Sequence, residues 1–243
     1  MISIQPTQHL TGVTVSGDVH DFQELYDALH AIVGQESEYP NYDAVRLRVL
    51  GVCYDIRHAI MGNRGAKHVP NGLDRDGMRF LSITGSEMNI YLTFEVLLPE
   101  MMFVSYALND FIHLFERNNK THAWNSTSMA VRKFQSTFAT CLEETLPEKK
   151  FAQLKKYFMP SNRWDLTKYE GYMTQYVDML NIKFIHMDQE KREKNISIFA
   201  KRLAEKDHRY MQVFHEIHAV ARENGVHSDE ILPIEQYPDD YEW

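Results

Sequence analysis

Cysteine is scarce in this 243-residue chain, which holds only Cys53 and Cys141. Two thiols build no disulfide framework. Both fall at apolar positions of predicted helices, where a thiol acts as a small hydrophobe. Long apolar runs are also missing: none approaches the roughly 18 residues a membrane span needs. The opening Met1-Ile-Ser-Ile-Gln-Pro6 lacks the basic start and apolar stretch of a signal peptide, so a cytoplasmic location is expected. There is no Gly-x-Ser-x-Gly elbow, no dinucleotide-binding fingerprint and no P-loop, which removes the motif grounds for three large enzyme classes. With 44% hydrophobic and 25% charged residues, collagen-like, low-complexity and wholly disordered chains are excluded as well.

The formal net charge is −8, and it is unevenly spread. Residues 1–122 carry −6, residues 123–227 carry +4, and residues 228–243 carry −6 with no Lys or Arg at all. No dense Lys/Arg cluster occurs, so a nucleic-acid partner is not expected. These shifts suggest an α+β domain over 1–122, a helical segment over 123–227 joined through a short linker at 117–125, and an acidic extended tail over 228–243.

The predicted elements begin with a strand at Leu10–Gly17, rich in β-branched residues. Asp21, with Glu24 three residues on, reads as the capping box of a first helix. Its stripe is Phe22, Leu25, Tyr26, Leu29, Ile32 and Val33, and Gly34 stops it. A second helix over 43–61 is apolar on two sides. Val45, Val49, Val52, Cys53, Ile56 and Ile60 form one face, and Leu47, Leu50, Tyr54 and Met61 lie near the other, the pattern of a helix buried between layers. A Gly-rich loop follows over 62–78. Residues 79–84 and 88–97 then read as a hairpin, with Ile90, Leu92, Phe94 and Val96 alternating with Tyr91, Thr93 and Glu95. Pro99 opens a third helix over 100–116. Further helices are predicted at 126–146, at 148–158, after a cap at Asp165, and as one long helix from 189 to 223. The fold class is α+β: a small antiparallel sheet packed on helices, followed by an all-helical C-terminal segment.

Carboxylate-x-x-His recurs as Asp27–His30, Asp55–His58, Asp110–His113 and Glu205–His208. On facing helices this spacing can hold a di-metal centre, yet on one solvated face it is an ordinary ion pair. Helical wheels turn Asp27 and His113 away from the apolar stripes of their helices. Asp55 and His58 are the exception, because their helix leaves little face for water, and a buried Asp and His need partners. Asp55 and His58 are therefore the first catalytic or metal-ligating candidates, with His30 and Asp110 behind them. His215-Glu-Ile-His218 has i,i+3 spacing, not the i,i+4 of the zincin motif.

In the last predicted helix Ile196, Leu203, Tyr210 and Ile217 fall seven apart, a partial heptad. The tail carries Ile231, Leu232, Ile234, Tyr237, Tyr241 and Trp243 among its six acids. A merely solubilising tail needs no such anchors. The tail is expected to dock on the helices before it or on a neighbouring chain, so a protein partner or self-association through the last helix and tail is an expectation too.

Three stretches carry a family resemblance: Leu10-Thr-Gly-Val-Thr-Val-Ser-Gly-Asp18, Leu47-Arg-Val-Leu-Gly-Val-Cys-Tyr-Asp-Ile-Arg-His-Ala59, and Pro99-Glu-Met-Met-Phe103 through Ala107-Leu-Asn-Asp110. Together they resemble a bacterial family of unknown function, mostly from Gram-positive species, over residues 8–116. The resemblance implies a bacterial cytosolic protein and carries over no activity, cofactor or catalytic residue. The residues support a non-enzymatic intracellular binding or regulatory protein, with no cofactor. The alternative is a hydrolase or nuclease, metal-dependent or built on His and Asp, with its site near Asp55 and His58.

Overall fold

The computed structural model describes residues 1–122, 124–159, 168–233 and 235–243. Its strands are β1 (Ser3–Pro6), β2 (Gly12–Gly17), β3 (Gly65–Pro70) and β4 (Met88–Leu97). Its helices are α1 (Val19–Val33), α2 (Asp43–Ile60), α3 (Arg75–Phe80), α4 (Leu98–Asn119), α5 (Ser126–Thr145), α6 (Glu148–Phe158), α7 (Gln175–Ile185), α8 (Gln189–Ala204) and α9 (His208–Asn224). The strands form one antiparallel sheet in the order β1-β2-β4-β3. The α+β class with a helical second half is as expected, and among the described residues no helix is long and apolar enough to cross a membrane.

The register sets Val13 against Val96 and Val15 against Phe94, and all four side chains are buried. Alternation puts these residues on one face, towards the helices. β1 extends the same face: Ile4 pairs with Val15 and is buried. The sequence gives β1 no alternating pattern, because only Ile4 of its four residues is buried.

α4 is the central element. It starts with Pro99 in its first turn, and every residue from Leu98 to Ile112 except the half-buried Glu100 is buried. The helix side opposite the apolar stripe, to which the helical wheel assigns His113, is not a solvent face over its whole length: His113 is half-buried. Ser105 and Asn109 are buried against α5, which brings a matching polar ladder. Gln135 donates to the Ser105 carbonyl at 2.7 Å and to Asn109 Oδ1 at 3.2 Å. Arg132 also donates to Asn109. The buried Asn109 amide oxygen is met in this way, whereas the Ser105 hydroxyl has no hydrogen-bond partner among the described residues. One apolar core runs continuously from Ile4 on β1 to Ile217 on α9.

Other expectations shift in detail. The cap of α1 is Asp18, which accepts from Asp21 N at 2.8 Å while Asp21 bonds back to Asp18 N; the box sits three residues earlier than Asp21–Glu24. α2 buries only one side, for Leu47, Tyr54 and Met61 are exposed. The partner of β4 is β3 and not 79–84. Asp74 caps α3 through Gly77 N at 2.6 Å, which draws Arg75–Phe80 into a helix. The single long helix is two, because Asp207 caps α9 by accepting from Tyr210 N at 2.9 Å. Ile196, Leu203, Tyr210 and Ile217 are still buried in the chain's own core. Gly225, left-handed at φ 66°, ends α9, as glycine commonly does at a helix C-terminus. The cap at Asp165 and the anchor Ile234 lie outside the described residues.

Candidate functional site

The tail returns across the body. Gln175 Nε2 at the start of α7 donates to the carbonyls of Ser228 and Ile231, at 2.8 and 2.9 Å. Further on, the Tyr237 hydroxyl donates to Asp178 Oδ1 at 2.7 Å and accepts from Asn181 Nδ2 at 3.0 Å. At the end, His9 N donates to the Trp243 carbonyl at 3.1 Å and the Thr11 hydroxyl to the Glu242 carbonyl at 2.5 Å. Gly12 makes room for the final ring: a Cβ there would lie 2.8 Å from Trp243 Cζ3.

Beneath the tail lies a cleft of about 510 Å³, with Tyr237, Tyr241 and Trp243 on one side. The body supplies Asp55 from α2, Arg64 from the turn after it, Glu95 from β4, Glu100 from the first turn of α4, and Asn181 from α7. Arg48, one face of α2 away, ties three of these elements together. It donates to Glu100 Oε2 and to the Thr174 carbonyl, each at 3.1 Å, and to Asp178. Asn181 Nδ2 also donates to Glu100 Oε2, at 2.8 Å.

The electrostatics follow from this packing. Burial disfavours the Arg48 charge, but Glu100 and Asp178 outweigh it and hold its pKa up. Burial pushes the Glu100 carboxyl above its ordinary range, against the pull of Arg48 and Asn181. The Tyr237 phenol is raised by burial and then by Asp178. Burial and Asp55 raise Tyr241.

The sequence candidates fall in different places. Asp55 is in the cleft wall, paired with Arg64 at 2.9 Å. His58, half-buried, packs at a tilt against Tyr54 with ring centroids 4.2 Å apart, and its Nδ1 lies 3.4 Å from Asn63 Nδ2. Asp55 thus takes its hydrogen bonds from Arg64 rather than from His58. His30 packs on Tyr26 of its own helix at 4.5 Å, and burial followed by the Arg46 charge lowers its pKa. Asp110 is buried midway along α4. Among the described residues no group of three or more His, Cys, Asp or Glu is placed to hold a metal ion. His218, of the His215–His218 pair, packs edge-on against Phe214 with ring centroids 4.4 Å apart.

Arg48, Glu100, Asp178 and Asn181 escaped the sequence reading. Their one signal was a charge set in apolar surroundings: Arg48 between Leu47 and Val49, Glu100 between Pro99 and Met101. The tail anchors Tyr237, Tyr241 and Trp243 were legible as aromatics in an acidic segment.

A family model described as "Domain of unknown function (DUF6904)" matches residues 2–243. No curated protein and no solved structure matches the chain.

Proposed function

The chain belongs to that family of unknown function, and from this premise we propose that it is a non-enzymatic binding or regulatory protein whose ligand enters the cleft beneath the C-terminal tail. One observation carries the reading. Three aromatic side chains of the extended tail segment line a polar cleft whose other lining comes from α2, the turn after it, β4, α4 and α7. After Glu230 the described residues belong to no helix or strand and are held by a few hydrogen bonds, and such a segment opens more cheaply than a core element does. Occupancy of the cleft is thereby coupled to the position of the tail. That coupling is what a regulatory protein needs: a ligand that binds only one tail position shifts the balance between positions.

The reading includes a cytoplasmic, bacterial protein. Both cysteines are buried free thiols, pushed up to about 12 at Cys53 and about 11 at Cys141, mainly by burial, as suits a reducing compartment. The bacterial source rests on the resemblance over residues 8–116. The alternative, a hydrolase or nuclease centred on Asp55 and His58, would need the Asp55–Arg64 pair to open. Self-association through α9 and the tail would need the tail to leave Asp178 and Thr11.

A melting-temperature screen of small charged metabolites, run on the full chain and on a chain ending at Gln236, tests the proposal. At a ligand concentration about 100 times Kd the full chain gains roughly 2.7 kcal/mol of stability, and the shortened chain gains less. If no compound shifts the full chain, while a phosphodiester or ester is hydrolysed and His58→Ala abolishes the hydrolysis, the enzyme reading replaces this one.

A further inference from the structure

The polar atoms of the cleft are of two kinds, those already bonded and those without a partner. Both guanidinium groups are taken: Arg48 serves Glu100 and Asp178, and Arg64 serves Asp55. The Asn181 amide nitrogen is taken twice, by Glu100 and by Tyr237. The Tyr237 hydroxyl both donates and accepts. Two groups remain. Glu95, half-buried on β4, has no ion pair or hydrogen bond from its carboxylate among the described residues. Asn181 is 1% exposed, and its Oδ1 has no hydrogen-bond partner among the described residues.

Both of these groups are acceptors. A buried acceptor left unmet costs free energy, so the complement of this site is a donor. Charge points the same way. Asp55, Glu95, Glu100 and Asp178 carry four formal negative charges in and just behind the cleft, and Arg48 and Arg64 return only two positive ones. The tail adds aromatic faces. Tyr241 and Trp243 lie with ring centroids 5.1 Å apart at 58° to each other, forming an angled wall, and Tyr237 stands near them. Aromatic faces attract cations, most strongly where water is partly excluded.

Resting on the binding-protein reading above, we propose that this cleft takes a small organic cation with N–H donors, a protonated amine or a guanidinium. Its donors meet Glu95 and Asn181 Oδ1, and its carbon stem lies against Tyr241 and Trp243. An anionic ligand would find no free donor cation there. A neutral polyol would leave the excess negative charge unmet.

The test uses the full chain carrying Trp124→Phe and Trp164→Phe, so that Trp243 is the single tryptophan. Agmatine and putrescine are titrated against its fluorescence, beside tetramethylammonium, magnesium ion and citrate. The expected result is a saturable change with agmatine or putrescine that weakens with added salt. Glu95→Gln is expected to weaken that affinity on the order of tenfold, with an unchanged melting temperature, as loss of one charge-assisted bond does. Tetramethylammonium, a cation without N–H donors, is expected to bind about tenfold more weakly or worse. Should Glu95→Gln fail to fold, Tyr241→Leu read by calorimetry serves in its place, with a several-fold loss expected.

The proposal is overturned if neither amine saturates, if the affinity ignores Glu95→Gln in a folded protein, or if magnesium ion occupies the site in their stead. Saturation by citrate alone overturns the cation class and leaves the binding-protein reading standing. Failure of the wider metabolite screen removes that reading itself.

Discussion

Two regions leave the body of the fold, and they behave in opposite ways. The arm formed by β3, α3 and the first half of β4 is rich in apolar side chains. Phe80 is 88% exposed, and Leu81, Ile83 and Ile90 are exposed beside it. The tail, 228–243, carries six acids and no base, a composition that reads as solvated. Yet the tail is the segment that is fastened down. It is tied at its start to Gln175, in its middle to Asp178 and Asn181, and at its end to His9 and Thr11. Apart from the Met1 amine donating to the Tyr91 hydroxyl at 3.0 Å and Leu92 pairing with Gly17, the arm's ties are internal: its own strand ladder, the Asn71–Glu87 backbone bond at 2.9 Å and the Arg75–Glu87 pair at 2.8 Å. Apolar content did not decide which segment docks. Polar ties to residues fixed by the core did.

The largest expected effect falls where the tail's last anchor is held. Arg192 is buried and donates to the carbonyls of Phe184, Ile185 and His9 and to the Thr11 hydroxyl. Thr11 in turn holds Glu242. Arg192→Ala removes four hydrogen bonds, while the Phe184 carbonyl keeps Met187 N at 3.1 Å, and is expected to cost about 3 kcal/mol, read by denaturant unfolding. A cost under about 0.5 kcal/mol would place the tail's end on the surface, like the arm.

Tyr237→Phe removes one hydroxyl between Asp178 and Asn181. A loss of about 1 kcal/mol is expected by the same measurement. Asp178 retains Arg48, so the loss stays well short of breaking the cluster.

The pH dependence of stability gives a smaller effect. Burial raises the folded-state pKa of Glu100. Its contribution is therefore fully present below its ordinary carboxyl range and is lost as pH rises through the raised value. Glu100→Gln cannot titrate, so its melting temperature should fall less than that of the native chain over that same rise in pH. An identical slope in the two proteins would show that Glu100 keeps an ordinary pKa. The smallest effect belongs to the arm. Phe80→Ala should change stability by less than about 0.5 kcal/mol, although a phenylalanine in the core would cost several times more.

The same contrast explains what the sequence could reveal. Phe94 and Val96 alternate visibly because that half of β4 has one face on the core. β3 is exposed along most of its length, and a strand with no buried face has no alternation to read. That is why Gly65–Pro70 looked like loop and the hairpin partner was placed at 79–84. α2 erred in the other direction: Leu47, Tyr54 and Met61 suggested a second buried face that is in fact exposed. α4 is buried all round, so its polar positions looked like a solvent face until Gln135 and Arg132 were seen to meet them. Asp55 was singled out because its helix looked apolar on two sides; it lines the cleft, but beside a face whose Tyr54 is exposed. Arg48, Glu100, Asp178 and Asn181 were not singled out, because they meet across three separate helices, and no local spacing records such a meeting.

The claim that the tail belongs to the fold while the arm stands apart from it is tested most directly by a paired melting experiment. One protein ends at Gln236 and so lacks Tyr237, Tyr241 and Trp243. The other keeps its tail but has Gly72–Ser86 replaced by an Asn-Gly turn between Asn71 and Glu87. Losing the tail's bonds and ring contacts should cost about 2 kcal/mol, which lowers the melting temperature by roughly 4–8 °C in a chain of this size. Shortening the arm should move it by less than about 2 °C. An unchanged melting temperature in the truncated chain, with a large fall in the protein of shortened arm, would contradict the account.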